Sequence, residues 1–351
     1  MTPARPRIAY VIEPRFPGGT SSAVAQELAV AVTMGDVQVH AISSAMFPGR
    51  EVAPILEKAL DRLGLSLIWE APKIAADTVI LHNPSFLKFN ETLPTQIVAR
   101  TLLVVTHENF LRPGGSDSFD VSTCLSLIDG ASLALTKALA PISAHNRDTV
   151  ERWLSQHGPT RWSVWPEDWH NICDFTFKAP TATPADRRGR HSRPGFEKFP
   201  SLPVLDICFP ATAEANVLLG ADMLIAEEPN RPHWTLIPFQ GVEVEQYFEM
   251  IDFMVYFTGP TWRESFGRVL AEGVAAGKIV ISDPDTAATF GGAVIGAKPR
   301  DVDGLITAYI SDPARYQRDV RAAQERLSQF SRDAFQAVMA NALVTDARGA
   351  A

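Results

Sequence analysis

The stretch Trp262-Arg-Glu-Ser-Phe-Gly-Arg-Val-Leu-Ala-Glu-Gly-Val-Ala-Ala-Gly-Lys-Ile-Val-Ile-Ser282 reads as a loop, a helix and a strand in succession. Phe266 to Ala276 carries a helical pattern, and Lys278 to Ser282 is a short β-branched run of strand type. Two carboxylates, Glu264 and Glu272, stand eight residues apart around the junction where the helix begins. Ser265 is placed to cap the helix, which leaves backbone N–H groups of Phe266, Gly267 and Arg268 in the first turn, where a phosphate is attracted. Eight residues at about 1.5 Å each give roughly 12 Å, enough for two carboxylates to grip opposite ends of one elongated ligand.

The same alternation extends outward in both directions. Arg7 to Ile12 reads as a strand, Ser22 to Val32 as a helix and Val37 to Ile42 as a strand, which is a βαβ unit. Val79 to Leu81, Leu102 to Thr106 and Ala138 to Ser143 continue the strand series. In the second half Trp234 to Pro238 and Phe253 to Phe257 are strand-like, and Val244 to Met250 is helical. Strands alternating with helices imply parallel, doubly wound sheets. Tyr316 to Leu327 and Asp333 to Val344 are two helical patterns broken near Ser331. The Pro-, Gly- and Arg-rich stretch Thr181 to Pro203 reads as a loop-rich insertion.

A chain of 351 residues suits two domains of about 150 residues each, with a cleft between them as the expected ligand site. The expected division is 1–150, 151–330 and a terminal helical segment 331–351 that returns to the first domain. Its boundary is expected near the aromatic-rich stretch Arg161 to Phe177, which holds three Trp. With 46% hydrophobic and 21% charged residues the composition is that of a globular protein. The net charge of -8 argues against a nucleic-acid partner, since a phosphate-backbone footprint needs clustered Lys and Arg. Cys124, Cys173 and Cys208 are odd in number and scattered, which speaks against a disulfide framework or zinc site and for a reducing cytoplasm. No segment reaches the length of a membrane span and Met1 to Arg7 lacks a leader pattern. A cytoplasmic protein, with peripheral association at the inner face of the membrane as an option, is expected.

The Glu264–Glu272 segment resembles the E-x7-E signature of retaining GT-B glycosyltransferases of the family-four-like type, including its E-x-F-G opening. The resemblance implies an α/β GT-B fold, two Rossmann-like domains facing each other across a cleft, with the C-terminal helix crossing back to the N-terminal domain. It implies transfer of a hexose-type sugar from a UDP- or GDP-linked donor to a glycan or other hydroxyl acceptor, with no cofactor or metal required. Surface polysaccharide or glycoconjugate synthesis is the implied setting. By position, Glu264 falls at the donor sugar, the amides of Phe266 and Gly267 at the diphosphate and Glu272 at the ribose, with Ser265 counted among the donor-binding residues between them. Gly189 to Lys198 resembles the family's G-R…K element, which makes Arg190 and Lys198 the expected neutralisers of the diphosphate, with Arg187 or Arg193 as substitutes for Arg190. The base is expected against Ile237 to Val242.

Gly18 and Gly19 follow the first strand and match the family's Gly-rich loop, although a plain turn gives the same letters. His107, directly after a strand, matches a family His near the donor sugar, and His82 ends another strand. Asp283-Pro-Asp285 reads as a turn rather than a metal site, and Ser143 to Arg147 as structural. A catalytically inactive nucleotide- or glycan-binding subunit and a nucleotide-sugar epimerase are the rival readings.

Overall fold

The computed structural model describes residues 5–158 and 160–344. The outer ends of the expected segments 1–150 and 331–351, namely residues 1–4 and 345–351, lie outside the described residues. The chain divides into two compact units: one runs to Ile172 and takes up the chain again from Phe330, and the other is Cys173–Gln329.

The first unit contains β1 (Arg7–Ile12), α1 (Gly19–Met34), β2 (Asp36–Ala41), α2 (Pro54–Leu63), β3 (Leu67–Ile68), β4 (Lys73–His82), β5 (Gln96–Thr106), α3 (Val121–Ala131), β6 (Ser132–Pro141), α4 (Ala144–Gln156) and β7 (Ser163–Val164). Its strands pair in parallel in the order β3-β2-β1-β4-β5-β6-β7. Ile8 to Ile12 and Val79 to His82 are buried throughout, as expected for central strands covered on both faces. Because α4 runs through residue 150, the expected boundary there is displaced to Ile172, within the aromatic stretch. The terminal helix of this unit, described last in chain order, packs on α1 and sets Phe335 edge-on against Trp169 at 5.2 Å.

The second unit contains β8 (Arg187–His191), α5 (Leu202–Cys208), β9 (Ala215–Leu219), α6 (Asp222–Glu227), β10 (Thr235–Ile237), α7 (Val244–Glu249), β11 (Phe253–Tyr256), α8 (Arg268–Ala275), β12 (Ile279–Ser282), α9 (Pro284–Ala288), β13 (Ile295–Gly296), α10 (Val302–Ser311) and α11 (Pro313–Arg326); the terminal helix that follows is α12 (Arg332–Val344). The sheet order is β10-β9-β8-β11-β12-β13, again parallel. The expectation of a loop-rich insertion over Thr181 to Pro203 is therefore corrected, since this stretch holds a central strand. β8 lacks an apolar run because its charges are satisfied internally: Arg188 is 1% exposed and bonds Asp186, Asp303 and the Cys208 carbonyl. Gly189 is required between them, because a Cβ there would stand 2.6 Å from Ile251 and from the Tyr247 hydroxyl.

Each sheet starts near its middle and runs outward in both directions, so each has a switch point, between β1 and β4 and between β8 and β11. Ligands of doubly wound sheets bind outside the C-terminal strand ends at such points. Each unit has its own apolar core, one around Val79, Leu102 and Trp153, the other around Phe253, Ile281 and Tyr316.

Candidate active site

At the second switch point β8 ends with Arg190 and His191 and β11 ends with Tyr256. The 3₁₀ turn Phe196–Lys198 follows β8 and is tied to the loop after β11 by the Gly259 N–H on the Glu197 carbonyl at 3.1 Å. This juxtaposition puts Lys198 Nζ 2.5 Å from Glu264 Oε1, the oxygen that also accepts from the Tyr256 hydroxyl at 2.5 Å. Lys198 Nζ also lies 5.1 Å from the Trp262 ring centre. Burial pushes the Glu264 carboxyl up, but the Lys198 charge and the hydrogen bonds from Lys198 and Tyr256 outweigh it and hold it below the usual carboxylate range. Glu264 is therefore ionised at neutral pH.

Arg190 plays a different part from its neighbour. It is 1% exposed, donates to Ser192 Oγ and to the carbonyls of Lys198 and Phe257, and lies between the rings of Phe199 and Tyr256. Its donors fasten the turn that carries Lys198. Of the expected substitutes, Arg187 pairs with Asp252 at the opposite end of β8, at 2.9 Å. Arg193 is beyond the C-terminal end of the strand, with a side chain 56% exposed and a charge felt by both Glu264 and Tyr256.

The helix that follows begins later than expected. Gly267, at φ +82°, takes the N-cap position of α8. Ser265 is therefore not at the N-cap position, and the straight-helix spacing of roughly 12 Å does not apply, because residues 264–267 precede the helix, with a bend at Ser265 and Phe266. A Cβ at Gly267 would meet Leu270 Cδ1 at 2.9 Å. Phe266 is buried with its ring against Phe290. Glu272 lies on α8 and accepts from Arg268 Nε at 3.2 Å; burial raises its carboxyl above the usual range, with Arg268 working against the shift and Glu245 adding to it. Val242, half-buried, sits in the turn between β10 and α7, where Phe239 is exposed.

Asp283 caps α9, accepting from the Thr286 N–H at 3.0 Å and facing Arg263 Nε at 3.3 Å. Its role is structural, although the segment opens a short helix rather than a simple turn. Among the described residues no group of three or more His, Cys, Asp or Glu is placed to hold a metal ion, and no helix is long and apolar enough to cross a membrane.

In the first unit Gly18 is the N-cap of α1 and Gly19 its first residue, with open space where a Gly19 Cβ would be. His107 follows β5, and its Nε2 meets His82 Nδ1, at the end of β4, at 2.9 Å. Burial, then the neighbouring His82, lowers the His107 basicity well below the usual imidazole range. The Ser143–Arg147 stretch is a support: Ser143 caps α4, and Asn146 bonds Thr106, the Glu108 carbonyl and Asn109, holding the loop that carries His107. The buried partner of His82, Glu27 on α1, was invisible in sequence because a Glu on a helix reads as solvated.

No family model matches the sequence, and no curated protein matches it. Solved structures do match. HepE from Anabaena in complex with UDP and glucose superposes with a TM-score of 0.65 at 14% identity, covering 97% of this chain and all (100%) of that one. Sucrose-phosphate synthase from Thermosynechococcus elongatus gives 0.59 at 16% identity over 99% of this chain and 100% of that one. A glycosyltransferase from Rickettsia africae gives 0.60 at 12% identity over 97% and 98%. An alpha-glucosyltransferase in complex with UDP and a 13-mer DNA gives 0.54 at 14% identity over 97% and 100%. With two parallel-sheet, Rossmann-like domains matched over nearly their whole length, the chain has the fold of GT-B glycosyltransferases.

Proposed function

We propose that this chain is a glycosyltransferase that moves a hexose-type sugar from a UDP-linked donor to a glycan or other hydroxyl acceptor with retention of anomeric configuration. The observation that carries the reading is the Lys198–Glu264–Tyr256 cluster at the C-terminal edge of the second sheet, beside the start of α8. The choice of uridine is supported by HepE, which is bound to UDP-glucose, and by the alpha-glucosyltransferase bound to UDP.

In this reading Glu264 contacts the donor sugar and Glu272 the ribose. Lys198 and Arg193 supply the field into which the diphosphate's charge grows as it departs, the amides of Phe266 and Gly267 just ahead of α8 add to it, and buried Arg190 holds Lys198 in place. The turn ending at Val242 faces the base. His107 and the Gly18-Gly19 loop are assigned to the sugar and acceptor side. In the transfer the bond from the anomeric carbon to the phosphate oxygen breaks, the bond to the acceptor oxygen forms on the same face, and the acceptor proton passes to the departing phosphate. No side chain has to act as a strong base.

The full chain is to be incubated with UDP- and GDP-sugars, with and without a cell-envelope glycan extract, while nucleoside diphosphate release and product configuration are followed by NMR. Acceptor-dependent UDP release with a retained anomeric centre is expected. Binding without turnover would replace this reading by an inactive subunit, acceptor-independent sugar conversion by an epimerase, and an inverted product would overturn retention.

A further inference from the structure

The outer half of β6 stands unguarded at the edge of the first sheet. β7 pairs with this strand at Ala138 and Leu139, and among the described residues no strand pairs with Ser132 to Lys137 on that side. Open edges are normally blunted by charge or proline, and Ser132-Leu-Ala-Leu-Thr136 contains neither. The next charge, Lys137, turns inward: its side chain is 9% exposed, and its Nζ donates to the Asp129 carboxylate at 2.6 Å and to the Ser132 carbonyl at 3.0 Å.

Alternation along the strand decides what this edge presents. Ala134 is in register with Ala99 and, through it, with Ala76, and all three pack on the core. Leu133 and Leu135 therefore point to the other face of the sheet, where they are 71% and 84% exposed. Leu133 continues an apolar row across three strands, with half-buried Val98 and exposed Ala75. A hollow of about 300 Å³ lined by Leu93, Pro94, Gly130 and Leu133 adjoins the row. The surrounding charges are mixed, Lys73, Arg100 and Lys137 against Asp77 and Asp129, so the chain's net charge of -8 is not concentrated there. An apolar centre within a balanced polar rim is the anatomy of a protein–protein interface.

We propose that the occupant is a second copy of this chain, with the two β6 strands antiparallel about a two-fold axis at Ala134. In that register Leu133 of each copy stands opposite Leu135 of the other, so one contact, made twice, covers both open edges and all four leucines. Ser132 falls opposite Thr136, a hydroxyl pair with no charge to repel. The pairing stops there because β7 already occupies the edge from Ala138. This surface lies toward the N-terminal ends of the strands, opposite the edge where ligands of such sheets bind, and it stands independently of the transferase reading.

The test is sedimentation velocity of the full chain without nucleotide. Five paired residues make a small interface, so a reversible dimer is expected, largely formed at about 100 µM and largely dissociated at about 1 µM. Leu135→Asp should be monomeric at both concentrations with an unchanged circular dichroism spectrum, since the replaced side chain is already 84% exposed. Ala134→Cys would stand opposite itself across the axis and should form an intermolecular disulfide under mild oxidation, whereas Leu133→Cys, facing Leu135, should do so about tenfold more slowly. The native cysteines are buried and should not compete. A wild type that stays monomeric at the higher concentration overturns the proposal, as does a dimer that survives Leu135→Asp or crosslinks faster at position 133 than at 134. A monomer that co-sediments with phosphatidylcholine vesicles, and is released by Leu135→Asp, would assign the patch to a membrane surface and overturn it likewise. Should Leu135→Asp not fold, the wild-type sedimentation and the two cysteine variants still decide.

Discussion

Replacing Lys198 by Met removes the ammonium that sits 2.5 Å from Glu264 and 5.1 Å from the Trp262 ring centre while keeping an unbranched side chain of similar length. The two side chains are only 7% and 13% exposed, so solvent screens the pair weakly. Breaking a buried pair by deleting one partner costs about 3–5 kcal/mol, and the remaining Tyr256 hydroxyl bond places this case near the lower end, about 3 kcal/mol at pH 8. The pH dependence follows from the causes acting on Glu264. In the native protein its carboxyl is held below the usual range, so its contribution is present above the unfolded value and lost as pH falls through the depressed one. Without Lys198, burial dominates and the carboxyl moves above the usual range. A group raised in the folded state contributes fully below its unfolded value and loses that contribution as pH rises, so the variant's deficit should be largest at pH 8 and shrink toward pH 5. Urea unfolding followed by tryptophan fluorescence at both pH values measures it. A deficit under about 1 kcal/mol at pH 8, or one of equal size at pH 5, would refute the claim that Lys198 is what keeps Glu264 ionised.

Arg190→Ala should destabilise the second unit by about 3–5 kcal/mol, since it strands two carbonyls and opens space between Phe199 and Tyr256, whereas exposed Arg193→Ala should leave thermal stability within about 0.5 kcal/mol and weaken UDP binding by calorimetry. Gly267→Ala forces a side chain into left-handed backbone and onto Leu270, so a loss of about 1–3 kcal/mol in urea unfolding is expected; a change within error would mean that the turn relaxes freely. Asp283→Ala removes the α9 cap and should cost about 1 kcal/mol in the same assay without altering UDP affinity, which separates capping from a ligand role.

Central strands of ordinary composition were legible from their letters. Arg7–Ile12 matches its expected span, and Phe253–Tyr256 and Ile279–Ser282 end within a residue of theirs, because an apolar β-branched run buried on both faces has no competing reading. The outer halves of β4, β5 and β6 were missed where alternating polar residues such as Lys73, Arg100 and Lys137 dilute the signal. Ala138 to Ser143 overran its strand by two residues, since Ser143 belongs to the cap of α4. The strand β9 and helices α5 and α6 went unread. At the site, the proximity of Lys198 to Glu264 across 66 positions follows from strand order, which no local pattern encodes. The burial of Arg190 and the pairing of Glu27 with His82 are likewise tertiary facts.

The hardest element to read, β8, is also the one on which the proposed donor site is built. Arg187-Arg-Gly-Arg-His191 violates the rule that central strands are apolar, and that violation hid it among loop residues. Each charge has been accommodated separately: Arg187 by Asp252, Arg188 by Asp186 and Asp303, Arg190 by carbonyls and two aromatic faces. Such compensation is expensive to assemble, and an apolar strand of the same register would pack with none of it. Departures from local preference persist where function needs them. A guanidinium buried at the C-terminal end of a central strand, fastening the turn that presents Lys198 to Glu264, ties the anomaly in the strand to the chemistry at its edge.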